Sequence, residues 1–193
     1  MSKNSDRALQ QELLAEVNAL RTSQDTKQLI RQLRRLAELE RGIPDLPAAI
    51  KHYQEAVELL RDFDKPLALA HTIRHLGDVF VQAGELTHAT PCYDEALDLY
   101  EDEDDFESLN FANATRSLAI LKELTAQHNE ASALWRNALA LYEAFGIAAG
   151  VSECAAHLAL IASLQKNESQ ALSYLQQAKS AAKASRDAAT LSF

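Results

Sequence analysis

Apolar and small residues recur along this chain on two periods at once. Over short windows they fall at i, i+3, i+4 and i+7. Ile73, Leu76, Gly77 and Phe80 therefore share one helical face at about 100° per residue, and Ala89, Tyr93, Ala96 and Leu97 share a face of a second helix. Gly84-Glu85 breaks the pattern between them, so this segment predicts a helix, a short turn and an antiparallel helix. Over longer range the same columns return every 40 to 42 residues. Leu36, Leu76, Leu118 and Leu158 form one column, each followed by a small residue: Ala37, Gly77, Ala119 and Ala159. Tyr53, Tyr93, Trp135 and Leu175 form another. Each sits four residues after an alanine (Ala49, Ala89, Ala131, Ala171) and three before the next (Ala56, Ala96, Ala138, Ala178). A fixed period in this range marks stacked supersecondary units. The small residues are expected to let paired backbones approach, and the large rings to fill the gap between a hairpin and its neighbour.

The columns divide the chain into an N-terminal capping helix (1–24), repeats at 25–64, 65–106, 107–146 and 147–187, and a tail at 188–193, read as one continuous domain. Ala8 and Ala15 precede Ala49 and Ala56 by 41 residues, so residues 5–22 resemble a lone second helix. Asp25 is the expected N-cap of the next helix. Turns are expected at Gly42-Ile-Pro-Asp45, Gly84-Glu85, Gln127-His-Asn129 and Lys166-Asn-Glu168.

These residues resemble the tetratricopeptide repeat. The repeat at 65–106 matches its pattern at Leu76, Gly77, Phe80, Gly84, Ala89, Tyr93 and Ala96, and the other three match at five or six of those columns. The resemblance covers roughly residues 25–187. The usual family period is about 34, so this chain is similar to the longer-helix variety found in kinesin light chains and many bacterial regulators. The resemblance implies an all-α fold, a right-handed superhelical solenoid of four hairpins plus an N-terminal capping helix. It also implies that the first helices line a concave face where peptides bind.

Composition agrees. Five Gly and four Pro in 193 residues, with abundant Ala, Leu, Glu and Gln, favour helices. Cys92 and Cys154 read as small apolar residues in a reducing compartment. The N-terminus lacks the apolar core of a signal peptide, and no stretch approaches the ~20 apolar residues of a membrane span. A cytoplasmic protein is expected. The net charge of −9 is uneven: residues 1–44 carry eight Lys/Arg against six Asp/Glu. An acidic chain repels nucleic acid and anionic lipid, so neither is an expected partner.

Rotating away from the packed face of each first helix gives the open face. It reads Arg31, Arg34, Arg35 and Glu38, then His71, Arg74, His75 and Asp78, then Asn113, Arg116, Ser117 and Ile120. Arg34, Arg74 and Arg116 fall in one column. Guanidinium forks grip carboxylates and phosphates at two points. The candidate peptide-binding groove is thus Arg31, Arg34, Arg35, His71, Arg74, His75, Asn113 and Arg116, with an acidic or carboxylate-bearing peptide as partner. The bland alternative is that these arginines pair with acids on adjacent helices. His71, His75 and Asp78 share a face but lack a further ligand, so no metal is expected. The acidic run Glu101-Asp-Glu-Asp-Asp105, with Glu107, lacks a calcium loop's glycine and reads as solvated. No nucleophile–base set or nucleotide loop is recognisable, so neither an enzyme nor a cofactor is expected.

After Ala178 the last helix is rich in alanine, Asp187 would start another hairpin, and Leu191 and Phe193 follow. A solenoid's last helix needs a polar outer face, so this end suggests homodimerisation. The rivals to a peptide adaptor are an assembly protein acting through its ends or convex face, and the sensor half of a regulator.

Overall fold

The computed structural model describes residues 3–23, 25–103 and 108–191, and the side chains of residues 5–23, 25–103 and 108–186. Among the described residues there are nine helices and no strand: α1 (Lys3–Leu20), α2 (Thr26–Gly42), α3 (Leu46–Arg61), α4 (Pro66–Gln82), α5 (Leu86–Asp102), α6 (Leu109–Leu124), α7 (His128–Ala144), α8 (Ala148–Leu164) and α9 (Glu168–Leu191). Contacts group them into two compact units, Met1–Glu103 and Asp104–Phe193. Within each unit every helix packs on its neighbours in sequence. None of the described helices is long and apolar enough to cross a membrane.

Two helix starts are fixed by side-chain caps. Asp25 accepts from the Gln28 amide at 3.0 Å and Ser108 from the Phe111 amide at 3.0 Å, each satisfying a donor that the helix leaves orphaned. Pro47 and Pro66 occupy first turns, where a missing N–H costs nothing. The turn inside each hairpin places one residue at positive φ in the same column: Pro44, Gly84, Ala126 and Lys166. Only Gly84 suits that conformation without steric cost.

The core is the small-and-ring lattice. Ala49, Ala56, Ala89, Ala96, Ala131 and Ala138 are fully buried, and so are Tyr53, Tyr93 and Trp135. The ring of Tyr93 covers Gly77 of its own hairpin: a methyl at Gly77 would sit 2.7 Å from Cε1. Tyr93 therefore fills space inside its hairpin, not only the space beyond it. The ring of Tyr142 covers Gly150 the same way, where a methyl would fall 2.5 Å from Cγ.

Three expectations meet a different arrangement. Ala8 and Ala15 are exposed, and α1 instead buries Leu13 and Val17 against Leu29, Leu33, Leu36 and Ala56. A cap needs only one sealing stripe, so it need not repeat the alanine columns. Leu175 is 54% exposed rather than packed, because α9 has α8 as its helical neighbour and no further hairpin on its other side among the described residues. The backbone of α9 also runs unbroken past Asp187 to Leu191, so no new hairpin starts there. Residues 104–107, which hold part of the acidic run, and the side chains of Leu191 and Phe193 lie outside the described residues.

The Tyr142–Gly150 contact gives a stability prediction. Gly150→Ala must displace a buried ring or a helix, an overpacking cost of about 1–3 kcal/mol despite alanine's better helix propensity. Chemical denaturation should show that loss, and an unchanged or raised midpoint would contradict the contact.

Candidate functional site

The first unit contains a cleft of about 660 Å³ walled by α2, α3 and α4. Its floor is apolar: Ile30, Leu60, Phe63, Ala68 and the ring of Tyr53. Its rim is cationic: Lys27, Arg31, Arg34, Arg35 and Lys65, with His71 and His75 beside them. Glu38 is the one acid among the lining residues. It is already engaged, accepting from the Tyr53 hydroxyl at 2.8 Å and from Arg41 at 2.7 Å. Among the described residues no acid forms an ion pair with the five lining cations. The apolar stripe of α2 (Leu29, Leu33, Leu36, Ala37) is buried, which turns Lys27, Arg31, Arg34 and Arg35 to its other side.

Histidine chemistry in the cleft is fixed by arginines, which can only donate. Arg34 donates to Nδ1 of His71 at 3.0 Å, so that ring carries its proton on Nε2. Arg74 donates to Nε2 of His75 at 2.8 Å, while Nδ1 of that ring lies 3.4 Å from Arg41 and 3.6 Å from Asp78. Burial, then the Arg74 and Arg34 charges, hold His71 down to about 4. Burial, then Arg74, His71, Arg41 and Arg34, hold His75 down to about 2. Burial likewise lowers Arg34, partly opposed by Tyr53 and Tyr100.

The sequence-predicted residues have separate fates. Arg31, Arg34, Arg35, His71 and His75 come together on the cleft. Arg74 does not: it is 6% exposed and donates to Asp78 at 3.0 Å within its own helix. Reversing its charge would therefore disrupt the interior rather than remove a contact to a ligand. Asn113 and Arg116 belong to the second unit. Asn113 accepts from the buried Tyr142 hydroxyl at 2.7 Å, and Arg116 donates to Glu153 at 2.8 Å. Glu153 stands 37 residues after Arg116, as His71 stands 37 after Arg34, so one substitution in that column decides which arginine is neutralised. Lys27 and Lys65 were not among the residues singled out from sequence. Lys27 was legible, four positions before Arg31 on the same face, whereas Lys65 lies in the turn before α4, where periodicity carries no signal. Among the described residues there is no cluster of metal-ligating side chains.

Residues 29–102 match the tetratricopeptide repeat family. No curated protein matches the sequence. Among solved structures, BtubC (BKLC) from P. vanneervenii is similar with a TM-score of 0.84 at 19% identity, covering 93% of this chain and 74% of that one. Aspartyl phosphate phosphatase F from Bacillus subtilis gives 0.79 at 13% identity, over 89% of this chain but only 44% of that one. A putative kinesin light chain of nearly identical TPR-like repeats from Podosopora anserina gives 0.74 at 14% identity, covering 95% and 94%. At these identities the likeness is one of fold, that of an all-helical repeat solenoid. The family match covers residues 29–102, and the same period and small-and-ring columns continue beyond it through Ala131, Trp135 and Ala138.

The neutral histidines set a pH dependence. An unfolded chain takes up protons near pH 6.5, whereas the folded chain resists until about 4 at His71 and about 2 at His75. The stability they contribute is present above pH 6.5 and declines as the pH falls from there through the folded values. Replacing both with Gln should flatten the loss of stability between pH 7 and 4.5, measured by urea unfolding. An identical decline in parent and variant would contradict the assignment.

Proposed function

We propose that this protein is a non-enzymatic interaction adaptor that holds an acidic or carboxylate-bearing peptide segment in the cleft of its first unit. The observation carrying this reading is the set of lining cations that have no acidic partner among the described residues, set above an apolar floor. The half-buried Arg34 guanidinium recovers interaction energy when an anion arrives and attracts acids more strongly there than at an open surface, with the exposed Arg31 and Arg35 beside it. Arg31, Arg34 and Arg35 grip carboxylates, His71 offers a neutral Nε2–H, and Phe63, Ile30 and Leu60 receive an apolar side chain. Asn113 and Arg116 are committed to partners within their own unit and play no part in this reading.

Binding of a fluorescein-labelled, glutamate-rich decapeptide tests it. Arg31→Glu with Arg35→Glu should weaken binding more than tenfold with an unchanged helical circular dichroism spectrum. Affinity of the parent should also fall as salt shortens the Debye length from about 10 Å to a few ångströms. Equal binding by parent and variant would discard the cleft as the site.

A second reading is favoured by the outer face of α9, where Leu172 is 67% exposed and Leu175 54%. There the protein would act as an assembly element by self-association. A monomeric mass by light scattering at high concentration would remove this reading.

A further inference from the structure

This inference rests on the cleft being the binding site and concerns the chemistry of what it holds. Arg31, Arg34 and Arg35 occupy i, i+3 and i+4 of α2, three guanidiniums side by side on one surface, with Lys27 one turn earlier. Like charges at these spacings repel along a helix, so the cluster works against α2 unless something neutralises it. The structure supplies no neutraliser: Glu38 is held by Tyr53 and Arg41, and among the described residues the five lining cations form no ion pair. Arg34 is half-buried and spends one donor on the neutral ring of His71. A single carboxylate has two oxygens and one charge, enough for one guanidinium fork. A phosphoryl group has three terminal oxygens and close to two charges at neutral pH. That matches three forks lining one cleft on a single helix face, whereas the same charge spread over separate glutamates would need several anchoring points along the peptide. The apolar floor at Ile30, Leu60 and Phe63 lies alongside and suits a side chain carried by the same segment.

We propose that the cleft recognises a phosphorylated side chain within a peptide segment, with Arg31, Arg34 and Arg35 as its phosphate-binding group and the apolar floor seating a neighbouring residue. Three labelled decapeptides of one sequence, containing leucines and two glutamates, carry phosphoserine, glutamate or serine at the centre. Fluorescence anisotropy with the full chain should show the phosphoserine peptide binding at least tenfold tighter than the glutamate peptide. Arg31→Gln with Arg35→Gln, both exposed positions, should bring the two affinities together without changing the circular dichroism spectrum. Phosphoserine and glutamate peptides bound within threefold of each other would overturn this inference while leaving the acidic-peptide reading standing. Binding of none of the three would overturn both. Inorganic pyrophosphate binding as tightly as the phosphopeptide would overturn the peptide as the source of the phosphoryl group, since the floor would then contribute nothing.

Discussion

A tyrosine hydroxyl pressed against a carboxylate on the facing helix governs how the first unit is put together. Tyr53 on α3 donates to Glu38 on α2 at 2.8 Å while its ring lies nearly parallel to His75 of α4, 8° from coplanar with centroids 6.1 Å apart. One side chain thereby spans three helices. Tyr93 repeats the hydroxyl contact with Asp78 at 2.9 Å and needs Gly77 beneath it. The acid stands fifteen residues before the tyrosine in both cases, so the pair is a property of the repeat rather than of one site. Burial pushes both phenols well above their ordinary range, helped by the adjoining carboxylates, so each remains a donor.

The same device decides where charge is left over. Glu38 would otherwise be the natural partner of Arg34 or Arg35, one turn away on the same helix. Held by Tyr53 and Arg41, it leaves those arginines to the cleft. In the second unit the ring is Trp135, which stacks on His157 with centroids 4.2 Å apart, as Tyr53 does on His75. There Ile120 takes the acid's column, and the buried indole N–H has no hydrogen-bond partner among the described residues. Arg116 meets Glu153, and His157 meets Glu123 at 2.6 Å. Two units built on one frame thus differ in charge because a few first-helix positions differ.

Most of the frame was legible from sequence because it rests on period and size. Gly77, Ala89, Tyr93 and Ala96 stand where spacing put them, and Asp25 caps α2 as its residue type suggests. Helical periodicity also separated packed from open faces well enough to find Arg31, Arg34 and Arg35. It could not separate an open arginine from a paired one. Arg74 and Arg34 occupy the same column, yet Asp78 and His75 draw Arg74 inward, while Arg34 faces a histidine. Those outcomes depend on which side chains meet across helices, and a one-dimensional period does not encode them. Leu175 fitted its column in type but lacks the neighbouring hairpin that would bury it.

The ring-to-acid contact can be measured directly by a double-mutant cycle on Tyr53→Phe and Glu38→Gln, with unfolding free energies from chemical denaturation. A hydrogen bond from a buried donor to a charged acceptor predicts a coupling of about 1–2 kcal/mol. Strictly additive single effects would show that Tyr53 does not hold Glu38, and the explanation for the uncompensated arginines of the cleft would fall with it.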